Sequence, residues 1–182
     1  MNGNQLLEDY LKKHIFGPLG MTSTSFRVNE HPDIKTHLCT MYDRNVDGEK
    51  LEARASNVTN GYPLSFDAGG GGLFSKPTDY IKLLTAILKR DPILLKKESY
   101  ESMFTSQLDD PKHLERHIAK QRPASLGAMT SGGLPPGTKV TWGFGGLLLL
   151  EDVPGKRRKG SLSWSGLPNL FWVSLQWTCC EF

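Results

Sequence analysis

The stretch GSLSWSGLPNLFWVS, at 160–174, sets the tightest constraint on what this chain can fold into. Polar and apolar residues alternate into the turn signal Leu-Pro-Asn and leave it as an aromatic run, the pattern of two strands joined by a tight turn. Upstream, VTWGFGGLLLLED reads as one strand ending in a continuous apolar run, and VPGKRRKG as the loop after it. The last third is therefore expected to be an antiparallel meander of three strands, with Gly166 at the turn after Trp164. Its leucines and aromatics need a covered face, and their burial is the main stabilising contribution available. Lys156, Arg157, Arg158 and Lys159, four cations without interleaved aromatics, read as a solvated turn.

Helical periodicity appears at four places. Leu6, Leu7, Tyr10, Leu11 and Ile15 recur at spacings of three and four, and Gly17-Pro18-Leu19-Gly20 ends the run. Tyr80, Ile81, Leu84, Ile87 and Leu88 form the apolar side of a helix with Ser75 as its cap, Pro77 in its first turn and a stop near Asp91-Pro92. A helix from Lys97 to Phe104 presents Tyr100, Met103 and Phe104. In DDPKHLERHIAKQR, His113 and His117 stand four apart, a spacing that could hold zinc on one helix face, but no third ligand is evident and the charge reads as a solvated surface. Between the first two helices, Asp47-Gly48 marks a hairpin of short, polar strands in CTMYDRNVDGEKLEARA. The glycines at 69–72 invite a phosphate reading, yet neither G-x-x-x-x-G-K nor G-x-G-x-x-G can be drawn through them, which leaves a close-packed turn.

A chain of 182 residues with 38% hydrophobic and 23% charged residues can bury one core. Its 22 basic and 19 acidic residues balance too evenly to imply a nucleic-acid partner. No apolar run approaches the ~18 residues that span a bilayer, and the first residues lack a signal-peptide pattern. Cys39, Cys179 and Cys180 suit neither a disulfide framework nor a C-x-x-C metal site, and fit a reducing compartment. The expected location is cytoplasmic, with no membrane or nucleic-acid partner. The sequon at Asn57 then reads as loop sequence.

In order along the chain, EDYLKKHIFGPLGMTSTSF, YDRNVDGEKL, GGGGLFSKPTDYIKLLTAIL, ESYESMFTSQL and SWSGLPNLFWV resemble the second half of the β-lactamase-related serine hydrolases. That family includes class C β-lactamases, similar esterases, and acyltransferases or transesterases of fungal polyketide pathways. The resemblance runs from Leu6 to about Val173 and implies an α/β (α+β) fold, an antiparallel sheet flanked by helices, incomplete relative to the β-lactamase/transpeptidase fold. Residues 1–182 are accordingly expected to be a single partial domain, without the nucleophile-bearing N-terminal part and the closing C-terminal helix; residues beyond 173 resemble nothing expected.

The family's chemistry uses a serine in S-x-x-K, a Y-x-N tyrosine and a third motif on a strand that closes the opposite wall. The resemblance places that third motif on Trp164-Ser165-Gly166, with the Leu167 amide as an oxyanion donor and an ester or acyl small molecule as substrate. No lysine has a serine three residues before it, and none of the five tyrosines has an asparagine two residues after it, so no catalytic residue is assigned. No cofactor or metal is implied. Two readings stand: a fragment of a serine esterase or acyltransferase, inactive as an isolated chain, or a non-catalytic binding or dimerising relic or truncated gene product.

Overall fold

The computed structural model describes residues 5–44, 50–53, 66–119, 134–166 and 170–174. The chain divides into two compact units, Met1–Leu83 and Leu84–Phe182.

In the first unit, α1 (Leu7–Leu11) runs on into a π-helical turn at Lys12–Phe16. The Gly17 amide bonds the Lys12 carbonyl at 2.9 Å, and a Cβ on Gly17 would sit 2.8 Å from that oxygen, so glycine is required where the helix stops. The wide turn inserts one extra residue and shifts the inward direction. Phe16 is therefore buried rather than Ile15, and Leu6 and Leu7 of the expected stripe are exposed. Within α1 itself the fully buried residue is Glu8. The short helix α2 (Pro32–Lys35) follows, and then the polar hairpin of β1 (Tyr42–Arg44) and β2 (Leu51–Ala53), paired Tyr42 to Ala53. Its Asp-Gly turn and the sequon at Asn57 lie outside the described residues.

The glycine run turns at Ala68, whose carbonyl accepts the Gly71 amide, and delivers Phe74 to a two-way backbone pairing with Ser25. Helix α3 (Pro77–Lys89) then begins one residue later than expected. The Lys76 carbonyl accepts the amides of Asp79 and Tyr80, so Lys76 holds the cap position, while the Ser75 hydroxyl meets Thr24 Oγ1 at 2.8 Å. The helix ends with Arg90 in the left-handed region, at φ 54°, just before Asp91. Its buried side carries Asp79, Ala86 and Ile87, whereas Ile81 and Leu88 are exposed.

The second unit contains the end of α3, α4 (Lys97–Met103), α5 (Lys112–Ala119) and a four-stranded antiparallel sheet in the order β3 (Val140–Gly143), β4 (Gly146–Leu149), β5 (Leu162–Gly166), β6 (Leu170–Ser174). The expected first strand is in fact two. Gly143 pairs with Gly146 around Phe144-Gly145, so the chain reverses inside the apolar run, with Gly146 at φ 156°. The remaining pairings follow the sequence pattern, with Ser163 opposite Val173 and Gly166 opposite Leu170.

Both faces of β3 and β4 are covered, which explains why LLLL is continuous rather than alternating. Val140, Leu147 and Leu149 pack with Val153, Leu134 and Ile118 of α5, with Leu114 and Trp142 against them. On the other face, Thr141 Oγ1 lies 2.7 Å from Ser106 Oγ, and a Cβ on Gly143 would stand 2.3 Å from the Met103 carbonyl oxygen. Tyr100, fully buried, donates its hydroxyl to the Asp91 carbonyl at 2.9 Å and ties α4 to the end of α3. Burying Leu147, Leu148, Leu149 and Leu162 contributes about 1.5–3 kcal/mol each.

Two outcomes are expected. Gly143→Ala forces the Met103 backbone away and lowers stability by about 1–3 kcal/mol in urea unfolding. Gly70→Ala, where a Cβ meets nothing within 4 Å, changes it by less than about 0.5 kcal/mol.

Candidate functional site

The residues that sequence reasoning assigned to a substrate wall fall on β5 and the turn after it. Trp164 stands on β5 opposite Trp172 of β6 and keeps 40% of its surface exposed, in contrast to the fully buried Leu162 two residues earlier. Its indole meets that of Trp142 with ring centroids 4.7 Å apart and planes at 59°. Ser165 and Gly166 continue the strand, paired with Phe171 and Leu170, and Leu167 lies outside the described residues. The strand thus carries an exposed indole and then a glycine at the end of its ladder, a place where a flat or branched ligand could lie against backbone.

The basic loop before β5 is not wholly solvated. Val153 and Arg157 pair across a tight turn, and the Arg157 side chain folds inward until the residue is 8% exposed. Its guanidinium donates to Ser163 Oγ at 2.8 Å. Burial pulls the Arg157 pKa below its ordinary value, although an arginine remains charged at neutral pH. Sequence reasoning treated the four cations alike because nothing local distinguishes them; the fold selects Arg157 by turning it toward β5. Ser161 Oγ donates to the Arg158 carbonyl at 2.7 Å. The hydroxyls of Ser161 and Ser163 are therefore both engaged in holding the loop.

Two carboxylates that sequence reasoning missed organise the first unit. Glu8, fully buried, accepts from Ser25 Oγ at 2.7 Å, from the Phe26 amide at 2.8 Å and from the Arg27 amide at 3.2 Å, and pairs with Lys12 at 2.6 Å. Burial alone would raise its pKa, but the bonds from Lys12, Ser25 and Phe26 outweigh it and hold the carboxyl below its ordinary value. Asp79, also fully buried, accepts from the Ser23 amide at 2.7 Å and from Thr24 Oγ1 and Lys82 Nζ at 3.2 Å each. Against the cost of burial, the Ser23 amide, Lys82 and Lys76 lower its pKa too. Lys82 also donates to the Gly20 carbonyl, so the Pro-Leu-Gly-Met turn is tied to α3. The one available signal was an acidic residue inside an apolar helical face, which composition cannot separate from an exposed one.

His113 and His117 are exposed on α5, while Ile118 beside them is buried. Among the described residues no group of three or more His, Cys, Asp or Glu side chains could hold a metal ion, and no helix is long and apolar enough to cross a membrane.

The Beta-lactamase family model matches residues 2–175. The chain belongs to the β-lactamase family. It is 34% identical over 174 residues to monacolin J acid methylbutanoyltransferase of Aspergillus terreus, covering 91% of this chain and 40% of that protein. It is 32% identical to lovastatin esterase of Penicillium rubens, covering 94% of this chain and 42% of that one. Among solved structures, unliganded simvastatin synthase from Aspergillus terreus superposes with a TM-score of 0.78 at 32% identity, over 93% of this chain and 40% of that one. The chain therefore spans about 40% of the length of the curated relatives it matches. Its α+β fold of antiparallel sheets and helices is part of a β-lactamase-like fold.

Three substitutions test these polar anchors. Because the Glu8 pKa is lowered in the fold, its contribution is present at neutral pH and lost as pH falls through that lowered value. Glu8→Gln is expected to cost about 2–3 kcal/mol at pH 7 and progressively less as pH falls below the ordinary glutamate range, read from urea unfolding across an acid series. Asp79→Asn is expected to show the same sign. Arg157→Met, which leaves Ser163 without its donor, is expected to cost about 1–3 kcal/mol by the same measurement.

Proposed function

We propose that this chain forms one wall of the active site of a serine esterase or acyltransferase, and that residues 1–182 are a single partial domain of that enzyme. Trp164, Ser165 and Gly166 make the wall, and the Leu167 amide donates to the oxyanion. The observation that carries this reading is the half-exposed Trp164 near the end of a ladder whose other neighbour strand, β4, is buried. The names of the matched relatives, a methylbutanoyltransferase and an esterase, support an ester or acyl small molecule as the substrate.

In the complete reaction a serine hydroxyl attacks the carbonyl carbon while its proton passes to a neighbouring base. The tetrahedral oxyanion collapses, the C–O bond to the leaving group breaks, and the leaving group takes that proton. Water or an alcohol then attacks the acyl-serine ester while the base takes its proton, the bond between the acyl carbon and the serine Oγ breaks, and the base returns the proton to the serine. The chain's own part is to confine the acyl group and to donate one hydrogen bond to the oxyanion.

As an isolated polypeptide the chain performs no covalent step. Its sequence contains neither S-x-x-K nor Y-x-N, and an unactivated serine hydroxyl is a poor nucleophile at neutral pH. Ser75, Ser161 and Ser163 have partners that supply no base: Thr24, the Arg158 carbonyl and Arg157.

Incubation with a fluorophosphonate, an activated ester and a β-lactam is expected to leave the intact mass unchanged. A stoichiometric adduct that disappears when one serine is replaced would overturn the inactivity. The wall is tested separately by titrating 15N-labelled chain with a non-hydrolysable acyl methyl ketone. Amide shifts centred on Trp164 to Leu167 are expected, and shifts confined to other residues would remove the wall.

A further inference from the structure

Resting on the reading of Trp164 as a wall residue, we propose that Trp142 is its positioning residue: the Trp142 indole fixes the orientation in which the Trp164 indole is presented to the acyl group. The two residues come from different strands, β3 and β5, with β4 between them. Trp142 is paired with Leu147 of β4, which is paired with Ser163 next to Trp164, and the indoles meet with centroids 4.7 Å apart and planes at 59°. This is the tilted geometry that the aromatic quadrupole favours.

The two partners are unequally held. Trp164 is 40% exposed, so its own surroundings restrain it weakly. Trp142 is half-buried against the cluster of Ile118, Leu134, Val140, Leu147, Leu149 and Val153. Its carbonyl accepts the Gln107 amide at 2.8 Å, and the Gln107 side chain in turn donates to the carbonyls of Ser102 and Thr105 at 3.1 Å each. The Gln107 bond thus holds the Trp142 backbone, and packing against the cluster holds its ring, which meets Trp164. A tilted indole pair biases a rotamer equilibrium by about two- to ten-fold. That bias is enough to decide whether a branched acyl chain meets the face of the Trp164 ring or its edge.

The test uses the chain labelled with 5-fluorotryptophan, whose four tryptophans give separate 19F resonances assigned by single Trp→Phe replacements. Trp142→Leu keeps apolar bulk against the core and removes the ring. It is expected to lower the 19F transverse relaxation rate of Trp164 measurably, because a second rotamer becomes populated and exposed rotamers interchange in ps–ns. Trp142→Phe keeps an aromatic partner and is expected to restore the rate. An unchanged rate in folded Trp142→Leu would overturn the proposal, since loss of a ring current moves the line without altering the motion of the ring. Equal behaviour of the Leu and Phe variants would overturn it as well, by assigning the effect to core volume. If Trp142→Leu does not fold, the unsubstituted chain decides: nuclear Overhauser contacts between the two indoles uphold the pair and their absence ends it. These spectra contain no acyl ligand, so a failure here is distinct from a failure of the wall, which the ketone titration reads.

Discussion

The close approach of the Met103 carbonyl to Gly143 is the contact on which the sheet of the second unit depends. With a Cβ at residue 143 only 2.3 Å from that oxygen, the end of α4 lies against β3 as closely as backbone can lie. Met103 also fills the space beside Gly145, where an added Cβ would come within 2.5 Å of its terminal methyl. Glycine at 143 and at 145 thus admits the Met103 backbone and side chain against the β3–β4 turn. From that anchor the Gln107 bond to Trp142 and the Ser106 contact to Thr141 follow at short chain distance. The candidate wall on β5 is built outward from this packed edge.

The first unit is organised by another means. Its loops between α1 and α3 contain few apolar residues, so buried carboxylates collect the amides and hydroxyls that would otherwise lack partners. Glu8 gathers Ser25, Phe26 and Arg27, and Asp79 gathers Ser23 and Thr24. Asp67 adds a third link, accepting from the Glu8 amide at 2.8 Å and from the Arg27 guanidinium at 3.1 Å. A buried ion pair contributes little net stability compared with apolar packing of equal volume, but removing one partner is costly. Such a network therefore specifies one arrangement of the loops more than it strengthens the unit.

Much of the architecture was legible in advance where the signal is periodic or where a turn residue has no substitute. The helices at 77–89 and 97–103, the β1–β2 hairpin and the β5–β6 pairing all occur where alternation, proline and glycine placed them. The error at the β3–β4 turn has a physical cause. A strand covered on both faces loses its alternation, so an apolar run gives no register, and the glycines inside it read as interruptions rather than as a reversal. At α1 the stripe was displaced because a π turn changes the helical period, which a 3.6-residue template cannot represent.

The chain's own residues, read without coordinates, determined most of its helices and the β5–β6 hairpin by local chemistry, while the family and the residues in which a wall was to be sought came from the order of its motifs and their resemblance to that family. Tertiary structure alone decided which charges are buried and which rings touch. Glu8, Asp79 and Arg157 look like ordinary surface residues in the sequence, and become buried because amides and a hydroxyl from distant segments need a charged partner. Trp142 and Trp164 are 22 positions apart, and no periodicity links them. They meet only because the antiparallel order β3-β4-β5 brings their strands to the same end of one sheet.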